Sequence, residues 1–147
     1  MRAALLVFAL CAAGCMREPA NAFTLTPGGN LKADARIVEQ GMYAVSLRYP
    51  FANDAARRVA WEAAHARRDG APFDVALTVT SPEGRVLIDR TIASPKLTSF
   101  SSTFLDAELV RLPMQPGRYV VAARTFNGTL PAEVPLQVSV APAYQGK

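Results

Sequence analysis

A two-layer antiparallel β-sandwich carrying one helix is the fold this sequence predicts, and three observations point to it. Tyr, Val, Leu and Phe alternate with polar residues in run after run, the period of half-buried strands. Only the segment from Asn53 to Asp69 has helical spacing, so the strand–helix–strand rhythm of parallel sheets is missing. The stretch from Leu112 to Tyr119 (LPMQPGRY) puts Pro-Gly between two strand patterns, the mark of a sharp reversal. The chain has 147 residues, 50% apolar and 19% charged, which suits one domain with its own core and excludes a disordered chain.

Residues 1–14 read as a leader, 15–35 as a tether, and 36–147 as the sandwich domain with its helix inserted at 53–69. Arg2 gives the leader a positive start. Ala3 to Ala13 is an uncharged run of about 16 Å as a helix, too short to span a bilayer and suited to a signal peptide. Within the tether, Phe23-Thr24-Leu25 suggests a first short strand and Gly28-Gly29-Asn30 a turn.

In the domain, Tyr43, Val45, Leu47, Tyr49 and Phe51 share one face of a strand and Ala44, Ser46 and Arg48 the other. Asn53 or Asp54 caps the helix, Val59, Ala60, Ala63 and Ala66 form its apolar stripe, and Gly70 ends it after Arg67-Arg68. Phe73, Val75, Leu77 and Val79 alternate into the Ser81-Pro82-Glu83-Gly84 turn, and Arg85 to Ile92 returns as the hairpin partner. Ser94 to Ser102 reads as a polar loop. Phe104 to Leu112 is a strand with Leu105, Ala107 and Leu109 on one side, and Tyr119 to Phe126 is another, closed by Asn127-Gly128. Glu133 to Ala141 is the last, and Pro135 within it marks a sheet edge, since Pro donates no ladder hydrogen bond.

Those motifs resemble known ones in three places. Ala12-Ala13-Gly14-Cys15 is similar to the lipobox of bacterial lipoproteins, with Ala12 where Leu is commonest; the resemblance implies that Cys15 is acylated and becomes the new N-terminus. The alternative is an ordinary secretory leader cut at an Ala-rich site such as Ala20-Asn21-Ala22. Met16 after the Cys, where Asp would retain an enteric lipoprotein in the inner membrane, implies an outer-membrane anchor facing the periplasm. The Leu112–Tyr119 stretch resembles the tyrosine corner of immunoglobulin-like Greek keys, which implies an immunoglobulin-like sandwich of about seven strands with Tyr119 as a structural pin. The succession GMYAVSLRYPF, an Arg-rich helix, PFDVALTVTSPEGRVL, LPMQPGRYVVAA and the terminal Ala-Tyr-Gln-Gly-Lys resembles the lipoproteins of domain-of-unknown-function family 5625, from about Val38 to Lys147. That resemblance implies an envelope protein and carries over no catalytic residue.

Chemistry of other kinds finds little purchase. Two Cys make no disulfide scaffold, and lipidation at Cys15 after loss of Cys11 leaves no free thiol. One His makes a histidine-based metal centre implausible, no calcium loop is present, and Gly28-Gly29 lacks the Lys-Ser/Thr of a phosphate cradle. His65 between Glu62 and Asp69 could be an oriented base, but no nucleophile or oxyanion element accompanies it. Arg58, Glu62, His65 and Asp69 read equally as a solvated ion-pair face of the helix. Asp106 and Glu108, with Glu83 and Asp89 as other candidates, read as solvent-facing acids rather than a glycosidase pair. No catalytic residue, metal or cofactor is therefore expected, and the spread-out charge of +4 gives no nucleic-acid footprint.

Trp61 has two readings: it packs the helix onto the sandwich, or it protrudes with Arg57, Arg58 and Arg68 as a contact patch for an anionic partner protein or lipid headgroup. The Phe100-Ser101-Ser102-Thr103-Phe104 loop is a second candidate contact. The expected function is thus that of a non-enzymatic binding module held to a membrane through Cys15, with a protein partner in the envelope. An immunity protein that neutralises a delivered toxin is one version. A carrier of a small lipid or sugar is the alternative.

Overall fold

The alternating runs become nine strands and one helix in a computed structural model, which describes residues 21–68 and 70–143. In chain order they are β1 (Ala22–Thr24), β2 (Asn30–Ile37), β3 (Gly41–Pro50), α1 (Asp54–Ala64), β4 (Asp74–Thr80), β5 (Val86–Ile92), β6 (Ser99–Phe100), β7 (Phe104–Met114), β8 (Gly117–Phe126) and β9 (Gln137–Pro142). They form two antiparallel sheets, ordered β1-β9-β3-β7-β6 and β2-β8-β4-β5. Inward residues of both, among them Leu47, Tyr49, Leu77, Leu105, Val121 and Val138, make one core between the layers.

The order is that of an immunoglobulin sandwich with its outer strands exchanged. An immunoglobulin domain sets A-B-E-D against G-F-C-C′. Here β3, β4, β5, β6, β7 and β8 fill B, C, C′, D, E and F in chain order, while β9 fills A and the early β2 fills G. The corner falls where that scheme requires. Between Met114 of β7 and Gly117 of β8 the chain crosses from one sheet to the other, and the Gln115 backbone N–H donates to the Tyr119 hydroxyl at 2.9 Å.

Tyr49 is the counter-case. Its ring is fully buried, its hydroxyl has no hydrogen-bond partner among the described residues, and burial pushes the phenol far above its ordinary pKa. The same one-atom deletion should therefore have opposite signs at the two positions. Tyr119→Phe strands the Gln115 N–H and is expected to cost about 1–2 kcal/mol, whereas Tyr49→Phe removes an unsatisfied oxygen and is expected to gain up to about 1 kcal/mol. Urea unfolding of the two variants checks this.

Several boundaries differ from expectation, each for a local reason. The chain joins the sandwich before residue 36: β1 lies against β9, and Leu31, Ala33, Ala35 and Ile37 of β2 alternate along β8. The helix stops at Ala64 rather than Asp69, because the His65 backbone N–H turns to the Glu62 carbonyl at 3.2 Å. Arg67 and Gly70 then pair across a tight bridge, so Arg67-Arg68 lies beyond the last turn. The polar stretch 94–102 contains β6. The last strand is not an edge: β9 lies between β1 and β3, and Pro135 sits before it in a γ-turn closed by the Leu136 N–H on the Val134 carbonyl at 2.9 Å. In β7 a bulge opposite Val45/Ser46 makes Leu109 an extra residue, so the inward face passes from Leu105 and Ala107 to Val110, Leu112 and Met114.

Candidate functional site

The register gives the sandwich two distinct ends. One carries the turn after β2, the β4–β5 turn and the tyrosine corner; the other carries α1 and the segments 93–98, 101–103 and 127–136. Chain entry falls about half-way along the first sheet, since Ala22 pairs with Ser139 and Ser139 with Ser46 in the middle of β3. Asn21 is buried there, and its side-chain amide donates to the Arg36 carbonyl at 3.0 Å while its oxygen accepts the Arg36 N–H at 2.9 Å. The Asn21 carbonyl takes the Val140 N–H, so this one residue staples the two sheets along their open side.

At the far end, Asp74 gathers three loops. Its carboxylate accepts from the Asn127 amide at 3.0 Å, the Ser94 backbone N–H at 3.0 Å and Arg67 at 3.4 Å; Arg67 also donates to the Asn127 carbonyl. The Asn127 amide first, and then the Ser94 N–H, hold the Asp74 carboxyl below its ordinary range. A depressed carboxyl contributes stability above its unfolded-state pKa and loses it as pH falls through the folded value, so acid loosens this end.

On that frame sits α1. Asn53 caps it by accepting the Ala56 N–H at 2.9 Å, and Ala60 and Ala64 are buried against the sandwich. Those contacts turn Trp61 outward, where it is 43% exposed. It stands in a row of rings. His65 packs against it tilted at 4.4 Å, fixed by a 2.8 Å hydrogen bond between its Nδ1 and the Trp61 carbonyl, and Phe100, 56% exposed, stacks on it at 5.6 Å. Arg57, Arg58 and Asp54 surround a shallow depression beside the indole. Arg68 is exposed beyond the helix end and is not brought to that depression. Among the described residues neither Arg58 nor Glu62 forms an ion pair, so the expected charged ladder is replaced by His65 capping its own helix. Cys15 lies outside the described residues. Among those described, no group of His, Cys, Asp or Glu is placed to hold a metal ion, and no helix is long and apolar enough to cross a membrane.

The outward face of the first sheet holds what alternation alone misplaces. Asp106, expected in solvent, is buried and pairs with Arg48 through two bonds of 2.8 and 2.7 Å, with the guanidinium 3.5 Å over the Phe104 ring. Arg48 and Asp106 are register partners on β3 and β7, and Phe104 at the start of β7 roofs them. They floor a groove of about 630 Å³ that Phe100 rims, so the groove and the ring stack share one residue. Neither the pair nor the groove was signalled by any motif, since both depend on strand register.

A family model described as a domain of unknown function (DUF5625) matches residues 22–140. No curated protein matches the chain. Among solved structures, the crystal structure of a protein from Sulfurospirillum deleyianum is similar with a TM-score of 0.62 at 11% identity, covering 84% of this chain and 97% of that one. The likeness extends over nearly the whole of the neighbour and is a likeness of fold.

Proposed function

The chain belongs to the DUF5625 family of domains of unknown function, and from that footing we propose that it is a non-enzymatic binding module held to the bacterial outer membrane by lipid on Cys15, facing the periplasm. Its partner in this reading is an envelope protein with an acidic, partly apolar surface, met by Trp61 and Phe100 with Arg57 and Arg58 beside them.

One observation carries the reading: the exposed ring stack stands at one end of the sandwich, beyond the level at which the chain enters. Five residues separate Cys15 from Asn21, which allows at most about 20 Å of extended chain. The Asn21 carbonyl bonds Val140, the register partner of Val45, so the span from Val45 to Pro50 places the helix end roughly 17 Å further along the sheet. In this reading a lipid at Cys15 seats the corner end near the bilayer and presents Trp61 to the periplasm. The staple also favours the lipobox over a leader cut at Ala22, since that cut would remove Asn21 and its bonds to Arg36.

A photo-crosslinking residue at Trp61, at Phe100, or at the exposed Arg85 of the corner-end turn, in intact envelopes, tests it. Protein adducts from positions 61 and 100, and none from 85, are expected. Adducts from 85 alone, or none from 61 and 100, would overturn the reading.

A further inference from the structure

The groove on the outward face of the first sheet has a lining whose chemistry selects a ligand. Ser46 and Ser139 are cross-strand partners on β3 and β9, and Ser139 is only 2% exposed. Neither hydroxyl has a hydrogen-bond partner among the described residues, and both side chains line the groove. Both hydroxyls open to the groove, so the two side by side offer a ligand a donor–acceptor pair that no protein group occupies.

The charges around them cancel. Arg48 is matched by Asp106, and on the next rungs Arg111 bonds Glu108 at 3.1 and 2.8 Å, so the lining holds two cations and two carboxylates, each paired through both carboxylate oxygens. The matched pairs leave a charged ligand no net countercharge in the lining. A neutral ligand can bond to their outer edges and leave them intact. The remaining wall is aromatic: Phe104 has one face on Arg48, and Phe100 stands half in solvent at the rim, stacked on Trp61. A ligand with hydroxyls on its edge and a flat C–H face meets all three demands. The geometry points to a neutral oligosaccharide, lying along β3 with hydroxyls on Ser46 and Ser139 and a ring face against Phe100. This site is independent of the lipid anchor and shares only Phe100 with the protein contact proposed above.

Trp61 is the only Trp of the sequence and touches Phe100, so its fluorescence reports on the rim. The full-length protein in detergent is titrated with chitohexaose and with maltohexaose, and with inorganic phosphate and polygalacturonate as anionic probes. Saturable binding of at least one neutral hexasaccharide is expected, with neither anion competing. Ser46→Ala and Ser139→Ala should each weaken that binding about tenfold, and Phe100→Ala at least as much, with unchanged unfolding midpoints for the two serine variants. If a serine variant does not fold, Ser46→Thr, which keeps the hydroxyl, serves in its place and should retain binding. Absence of binding by both neutral hexasaccharides, tighter binding of an anion, or binding indifferent to both serines would overturn the assignment. The two serine results leave the crosslinking outcome from position 61 unaffected, so the two readings can fail separately.

Discussion

Asp106→Ala is expected to destabilise the protein by about 3–5 kcal/mol, because it leaves the Arg48 guanidinium buried without its counter-charge. Both side chains are nearly shut off from solvent, at 7% and 10% exposure, and both carboxylate oxygens are engaged. Among the described residues the Phe104 ring would then be what is left against the cation, and a cation–π contact offsets at most about 2 kcal/mol. Much of the loss comes from stranding the partner rather than from the worth of the bond. Accordingly the double variant Arg48→Met/Asp106→Leu should recover most of it, since burying two apolar side chains avoids the desolvation of both ions. Urea unfolding of single and double variants checks the cycle. A loss below about 1 kcal/mol for Asp106→Ala would mean that the pair is solvated, as its place on an outward strand face first suggests.

Gly128→Ala is expected to be comparably costly, about 3 kcal/mol or more, for a steric reason. A Cβ at Gly128 would fall 1.7 Å from the Pro72 carbonyl oxygen and 3.0 Å from the Phe73 Cα, both backbone atoms next to a fully buried ring. No rotamer change relieves a clash with backbone, so the 127–136 segment would have to lift away from β4. That motion would pull the Asn127 amide off Asp74 and loosen the end that carries α1. Gly28→Ala is the control, because its Cβ would meet nothing nearer than 3.5 Å; its effect should stay within about 0.5 kcal/mol. Thermal melts of both variants, with hydrogen exchange across 67–74, separate a local loosening from global loss.

Much of this architecture is legible without coordinates, and the reasons differ by element. Period two marks β3, β4 and β9 because one face of each is in the core, and Pro-Gly before Tyr119 marks the corner because a turn and a buried hydroxyl must fall together there. β2 is quieter, since two of its four inward residues are Ala, and Ala carries little hydrophobic signal. The bulge at Leu109 shows in the sequence as a change of phase, from 105 and 107 to 110, 112 and 114. Pro135 misleads, because a γ-turn before a strand and a proline on an edge strand look alike in sequence. Trp61 and Phe100 are visible as candidates one by one, but their stacking joins a helix to a strand 39 positions away in the chain. The Arg48–Asp106 pair and the two serines are hidden for a deeper reason. Alternation assigns them correctly to the outward face, and only the roof formed by Phe104 turns that face into an interior.

The opposition between a moored end and a presenting end is tested most directly through the lone indole. Full-length protein acylated at Cys15 is reconstituted into phosphatidylcholine vesicles containing spin-labelled lipid, and Trp61 emission is followed against acrylamide in the aqueous phase. Strong quenching by acrylamide with none from the lipid label is the predicted result. Quenching of Trp61 by the lipid label would place the ring stack on the bilayer and contradict the account.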